Sequence, residues 1–213
     1  MRVLLCLIAL ILSGFAVQLP ADAQTLPPSD LSYLDGTFAI HDAPDGDARP
    51  MGKLLVSAPL QVTLHQGDWT EVVLRGWTQT GAERIIYASP GIRVLHAALS
   101  KSAIGALTFS DQITDPDTGL VWTKTELRGW IKSPVLRPGL QDIWARAEPL
   151  FAERCTACHQ RRIPHHYSAN QWTSHLKIMG PRTGLPKEDQ FLIRAYLQYH
   201  SKDADRLDPT ATH

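Results

Sequence analysis

Two periodicities divide the chain near residues 134–139. Ahead of that point apolar and polar residues alternate in short runs, LQVTL at residues 60–64, LTFS at 107–110 and VWTKTEL at 121–127, set between Gly-, Pro- and Asp-rich segments. A period of two places alternate side chains on one face, so these runs predict strands. The DPDTG at residues 115–119 predicts a hairpin connection. Beyond Gly139 the period becomes helical. Ile143, Trp144, Ala147, Leu150 and Phe151 share one face of a first helix, which Pro149 is expected to kink or restart. Ser168 with Gln171 forms a capping-box signature for a second helix through Met179, stopped by Gly180-Pro181. A third helix, from Pro186 to about His200, aligns Leu192, Ala195, Tyr196 and Tyr199.

Two nine-residue stretches in the strand-rich part match in register: residues 69–77 read WTEVVLRGW and residues 122–130 read WTKTELRGW. In a strand their tryptophans, eight apart, point to one face, and the glycine permits a bend beside a bulky neighbour. The repeat predicts two similar strands of a small barrel and is similar to the SH3-like barrels of exported bacterial proteins. These tryptophans are read as packing residues, with no site assigned to them.

The first residues change the picture of where the protein works. Met1 and Arg2 precede an apolar run from Val3 to Val17, and Ala21-Asp22-Ala23 follows as a small-residue cleavage site. This is the pattern of a secretory signal peptide over residues 1–23, so the mature protein is expected to begin at Gln24 in the periplasm. An uncleaved N-terminal membrane anchor is the alternative, although the run is shorter than the ~20 residues a span needs. Of three cysteines, cleavage removes Cys6 and leaves Cys155 and Cys158, too close together to staple a fold. The formal net charge is zero, which gives no reason to expect nucleic acid as a partner.

Residues 155–159 read CTACH. On a helical turn Cys155, Cys158 and His159 converge on one object. Two thioether bonds to a porphyrin, with the adjacent imidazole on the iron, are what this spacing serves, so one covalently bound haem c is expected, with His159 as proximal ligand. Zinc would have to recruit a fourth ligand, His165 or His166, from only a few residues away. A thioredoxin-like disulfide would require a βαβ pattern that the chain lacks. For the distal iron ligand, the mature chain offers two methionines, Met51 in the strand-rich part and Met179 in the helical part. Trp172, Leu176 and Met179 are spaced i, i+4, i+7, which directs Met179 toward the buried face, and His/Met is a standard axial pair. His175, His165 and His166 are its rivals, while Arg161 and Arg162 are read as solvated.

From about residue 69 to 200 the chain resembles the C-terminal part of the TorC-type pentahaem c-type cytochromes of trimethylamine-N-oxide reductase systems. The resemblance rests on GAERIIYA at residues 81–88, DPDTGL at 115–120, CTACH, and ANQW at 169–172 followed by Met179 and Tyr196-Leu197. It implies an electron carrier rather than an enzyme. A membrane-anchored multihaem cytochrome that oxidises quinol would be the donor, and a periplasmic molybdenum reductase of N-oxides or S-oxides the acceptor. The chain has a single Cys-x-x-Cys-His, so the tetrahaem module of that family is missing. A haem-based sensor with an open distal site is the competing function. The expected architecture is a two-domain α+β chain, with a β-rich SH3-like small barrel over 24–138 and an all-α cytochrome c-type haem domain over 139–213.

Overall fold

A computed structural model of the 213-residue chain describes residues 24–25, 31–116, 118–156 and 160–207. Eleven strands among these residues form one antiparallel sheet: β1 (Gln24–Thr25), β2 (Ser32–Leu34), β3 (Phe38–His41), β4 (Pro50–Leu54), β5 (Pro59–Gln66), β6 (Trp69–Gln79), β7 (Ile85–Ser89), β8 (Ile92–Leu99), β9 (Leu107–Thr114), β10 (Val121–Lys132) and β11 (Leu136–Arg137). Strands β6, β7, β8, β4, β3 and β10 are hydrogen-bonded in that order, and β10 pairs back onto β6. The result is a closed ring of six strands, which removes the edges an open sheet would leave. Strands β5, β2 and β11 extend it from β6, and β9 lies outside β10. Between β9 and β10 the Gly119 N–H donates to the Asp115 carbonyl at 2.8 Å, with Gly119 at φ 68°, while residue 117 of the expected turn lies outside the described residues.

The two WTxxxLRGW copies lie on β6 and β10 and pair with each other from Trp69↔Lys132 to Gln79↔Trp122. Leu74 faces Leu127, the same position of each copy, so a local twofold axis relates the two strands, and both leucines are fully buried. Each repeat glycine sits where a further strand crosses. A Cβ on Gly76 would lie 2.6 Å from the Tyr87 carbonyl oxygen, and one on Gly129 would lie 2.8 Å from that of His41. The tryptophan after each glycine then opens the next pairing, Trp77 with Tyr87 of β7 and Trp130 with His41 of β3. The repeat is therefore a bending device: glycine lets one long strand leave a neighbour and join another, closing the ring. Leu34, Ile40, Leu54, Leu60, Ile86 and Ile131 fill the interior with these leucines, and Met51 packs among them.

Three helices follow: α1 (Gln141–Cys155), which runs on through Pro149, α2 (Ala169–Met179) and α3 (Lys187–Tyr199). The capping box at the start of α2 is formed, the Ser168 hydroxyl accepting from the Gln171 N–H while the Gln171 side chain accepts from the Ser168 N–H. Short 3-10 turns at Gly180–Thr183 and Ala204–Leu207 follow α2 and α3. None of the helices among the described residues is long and apolar enough to cross a membrane.

The all-α cytochrome domain expected to follow the β region does not form as a separate body. The protein is mostly sheet, and its few short helices are laid against that sheet. Ile143, Ala147, Phe151, Leu192, Ile193 and Leu197 bury themselves in a cluster that includes Val56 and draws in Tyr33 from the β region. Ile92 and Val94 of β8 pack with Ala169 and Leu207. Three helices of eleven to fifteen residues have too little apolar surface to close a core among themselves, so they complete it on the strands. Polar links reinforce the docking. Asp35, its side chain 3% exposed, accepts from Arg137 Nε at 2.8 Å and from Arg146 of α1. The Asn170 amide accepts from the Arg93 N–H at 2.7 Å and donates to the Gly91 carbonyl at 2.7 Å. Gln198 Nε2 donates to the Arg93 carbonyl at 3.0 Å.

Candidate functional site

Cys155 is the last residue of α1 and half-buried, packed against the cluster that joins the helices to the sheet. Its position follows from the periodicity of α1, which buries Ile143, Ala147 and Phe151 on one stripe and so brings the next turn to the same side. Burial pushes the Cys155 thiol above its usual pKa. A helix C-terminus also disfavours a thiolate, so this cysteine lacks the low pKa that disulfide exchange uses. Cys158 and His159 lie outside the described residues.

Around Cys155 the cluster presents an aromatic wall. Phe151 meets Trp172 edge-to-face with ring centroids 6.3 Å apart and lies 6.2 Å from Tyr196. Tyr167 packs against Trp172 at 5.1 Å and against His175 at 4.9 Å. Trp172 Nε1 donates to the Pro164 carbonyl at 2.9 Å, which ties the segment after the Cys-x-x-Cys-His motif to α2. Arg162, read from sequence as solvated, is instead half-buried: its guanidinium lies 5.3 Å from the Tyr167 ring and Nη1 donates to the Tyr167 hydroxyl. Its Nε is buried with no hydrogen-bond partner among the described residues. Arg161 is exposed, as expected.

This arrangement fits a haem. An aromatic wall beside a cysteine suits an apolar macrocycle, and a buried guanidinium nitrogen lacking an acceptor suits its carboxylate periphery. Of the candidate distal ligands, Met179 is half-buried at the last turn of α2, one turn beyond Leu176, and does not join the packed cluster. Met51 is only 7% exposed in the interior of the strand ring. His175 is caged by Tyr167 and Trp172 and lines a surface cavity of about 410 Å3 with Arg93, Asn170 and Ser174. Desolvation, and then the nearby Arg162, hold the His175 pKa below its ordinary value. His165 and His166 are exposed on a short turn, Pro164–His166.

The sequence reading overlooked His96. It is 3% exposed on β8, and its Nε2 lies 3.1 Å from the Tyr199 hydroxyl of α3. Burial lowers its pKa to about 4 and raises that of Tyr199. It serves the joint between helices and sheet, and its partner Tyr199 is linked to Tyr196 of the aromatic wall through Trp144.

Residues 33–136 match the family described as the TorC third cytochrome c domain, a segment that ends ahead of Cys155. The chain is similar to the cytochrome c-type protein TorC of Escherichia coli (strain K12), with 29% identity over 162 residues, 76% of this chain and 42% of that protein. It is also similar to the cytochrome c-type protein TorY of Escherichia coli O157:H7, with 33% identity over 144 residues, 68% of this chain and 39% of that protein. The TorY protein of Haemophilus influenzae is 26% identical over 151 residues, 71% of this chain and 41% of that protein. The chain thus spans less than half the length of the curated relatives it matches. No solved structure matches it. The matched family and all three relatives are cytochrome c proteins by their own descriptions.

Proposed function

We propose that the chain is an exported monohaem c-type cytochrome of the TorC type, passing single electrons to a periplasmic molybdenum reductase of N-oxides or S-oxides. A membrane-anchored multihaem quinol-oxidising cytochrome is the proposed donor. The observation that carries the reading is Cys155, half-buried at the end of α1 against an aromatic wall and opening a Cys-x-x-Cys-His. In this reading Cys155 and Cys158 hold haem c through thioethers, His159 is the proximal iron ligand and Met179 the distal one.

Haem c supplies a one-electron iron couple when bound. The chain's own residues set its surroundings. Phe151, Trp172 and Tyr196 exclude water from the wall, which limits the solvent rearrangement that accompanies a change of charge. Arg162 offers a buried donor toward an anionic group. Met51 is occupied by the core of the strand ring, which leaves Met179 as the methionine of the described residues outside that core. A thioether ligand favours ferrous iron and places the potential above that of a bis-histidine haem.

A second reading, a haem-based sensor with an open distal site, draws on the position of Met179 outside the packed cluster. Visible spectra of both redox states separate the two. The carrier gives six-coordinate low-spin bands with a methionine-to-iron charge-transfer feature, and Met179→His keeps the low-spin state while lowering the potential by on the order of 100 mV. A low-spin spectrum that survives Met179→Ala but is lost in His175→Ala would replace the distal assignment. A five-coordinate wild-type haem would favour the sensor.

A further inference from the structure

We propose that the face formed by α2 and the start of α3 is a docking surface for an acidic patch on the electron-transfer partner. The inference rests on the carrier reading above and adds to it the chemistry of the partner's surface.

The charge of the chain is segregated. Residues 154–187 hold Arg154, Arg161, Arg162, Lys177, Arg182 and Lys187 and no Asp or Glu, within a chain that balances 21 basic against 21 acidic residues. Removing those six from the 21 leaves 15 basic against 21 acidic residues elsewhere. All six but Arg162 are exposed; Arg154 pairs with Glu153, and the other exposed members, Arg161, Lys177, Arg182 and Lys187, have no ion pair with a carboxylate among the described residues.

The fold concentrates part of that charge. A surface cavity of about 250 Å3 between α2 and α3 is lined by Lys177, Lys187 and Arg194, with Phe191 and Leu176 at its apolar side and no carboxylate in its lining. The two acidic residues in the first turn of α3, Glu188 and Asp189, face a different cavity, shared with Asp35 and Arg146. Arg194 is half-buried with its guanidinium 4.9 Å from the Phe191 ring, and no carboxylate among the described residues pairs with it. Burial lowers its pKa. A cation held partly out of water without a counter-charge costs free energy, and an incoming carboxylate recovers that cost.

Leu176 and Phe191 line this cavity and also pack against the cluster that holds Cys155, so a partner seated there adjoins the proposed haem. The occupant that fits is an acidic protein surface. Its carboxylates would enter between Lys177, Lys187 and Arg194 while the surrounding arginines steer its approach.

The test uses the full haem-loaded chain, reduced and mixed in stopped flow with the N-oxide reductase isolated from the same organism. The second-order rate is expected to fall at least about tenfold as ionic strength rises from about 20 to about 200 mM. At low salt, Lys177→Glu/Lys187→Glu is expected to slow the reaction about tenfold, whereas Lys53→Glu/Lys101→Glu, two exposed lysines of the β region, leaves it unchanged. A rate insensitive to salt, or equally slowed by both pairs, overturns the docking surface and leaves the carrier reading standing. Saturable binding of inorganic phosphate at Lys177 and Lys187, with no change in rate on charge reversal, makes the cavity a small-anion site and also overturns it. Failure to reduce the enzyme at any ionic strength overturns the carrier reading itself and the docking proposal with it.

Discussion

The strand ring and the helices bury their apolar residues in different ways. The ring encloses a continuous aliphatic interior, with Leu34, Ile40, Leu54, Leu60, Leu74, Ile86, Leu127 and Ile131 all fully buried, and needs nothing from outside to close it. The helices have a shorter aliphatic list, supplemented by half-buried aromatics such as Trp144, Tyr167 and Phe191, and they finish their core on Val56, Ile92 and Val94 of the β region. One region is complete as a scaffold. The other closes its core only by sharing it with the first, and Cys155 packs against that shared cluster. The sheet therefore positions the helices, and on the proposed reading a covalent haem would pack beside Cys155 at that shared core.

The largest expected effect breaks the two regions apart. In Cys155→Ala/Cys158→Ala, which cannot hold haem, the amides of α1, α2 and α3 are expected to lose most of their protection against hydrogen exchange, while the paired strands β6 and β10 keep theirs. Helices as well protected in this variant as in the wild type would show that their core is complete without a cofactor.

A smaller effect comes from His96, whose neutral form the joint requires. Its folded pKa of about 4 lies below the ordinary 6.5, so between these values the unfolded chain binds a proton that the folded chain refuses. Stability from this residue is full above pH 6.5, declines as pH falls toward 4 and is constant below that, a change of about 3 kcal/mol. Denaturant titrations across this window should show that decline, and His96→Leu should flatten it relative to wild type. Equal pH slopes in the two proteins would remove His96 from the account.

Asp35 joins β2 to both β11 and α1, and Asp35→Asn is expected to cost about 2 kcal/mol, less than breaking a fully buried pair because Arg137 and Arg146 are 41% and 54% exposed and can turn to water. Asn170→Ala is smaller still, about 1 kcal/mol, from two hydrogen bonds to the β7–β8 turn and β8. Its loss should appear as faster exchange at the start of α2 with little change in the strand ring. A uniform drop across both regions would contradict the separation drawn between them.

Much of this organisation could be read from the amino-acid pattern. The alternating runs became strands, the capping box at Ser168 opened α2 at the expected residue, and the paired WTxxxLRGW copies became partner strands. Local signals sufficed there because they depend on neighbours in sequence. A small SH3-like barrel was expected and its SH3-like character is not confirmed; which strands close the ring was not legible, since that depends on Gly76 and Gly129 meeting strands β7 and β3 from elsewhere in the chain. The docking of the helices was missed for a similar reason: Asn170 reaches Gly91 across 79 positions and His96 reaches Tyr199 across 103, and single polar residues carry no period. Hence helical periodicity beyond Gly139 was read as an independent domain, although its apolar face is shared with the sheet. At the candidate site the motif spacing pointed to Cys155, and only the fold distinguished half-buried Arg162 from exposed Arg161.

The most direct measurement is the intact mass of the exported protein after acid-acetone extraction. The account predicts the mass of the chain from Gln24 plus one haem, retained in the protein fraction, and no added mass in Cys155→Ala/Cys158→Ala. A wild-type mass without haem, or haem released into the acetone, would contradict the covalent attachment on which the carrier reading depends.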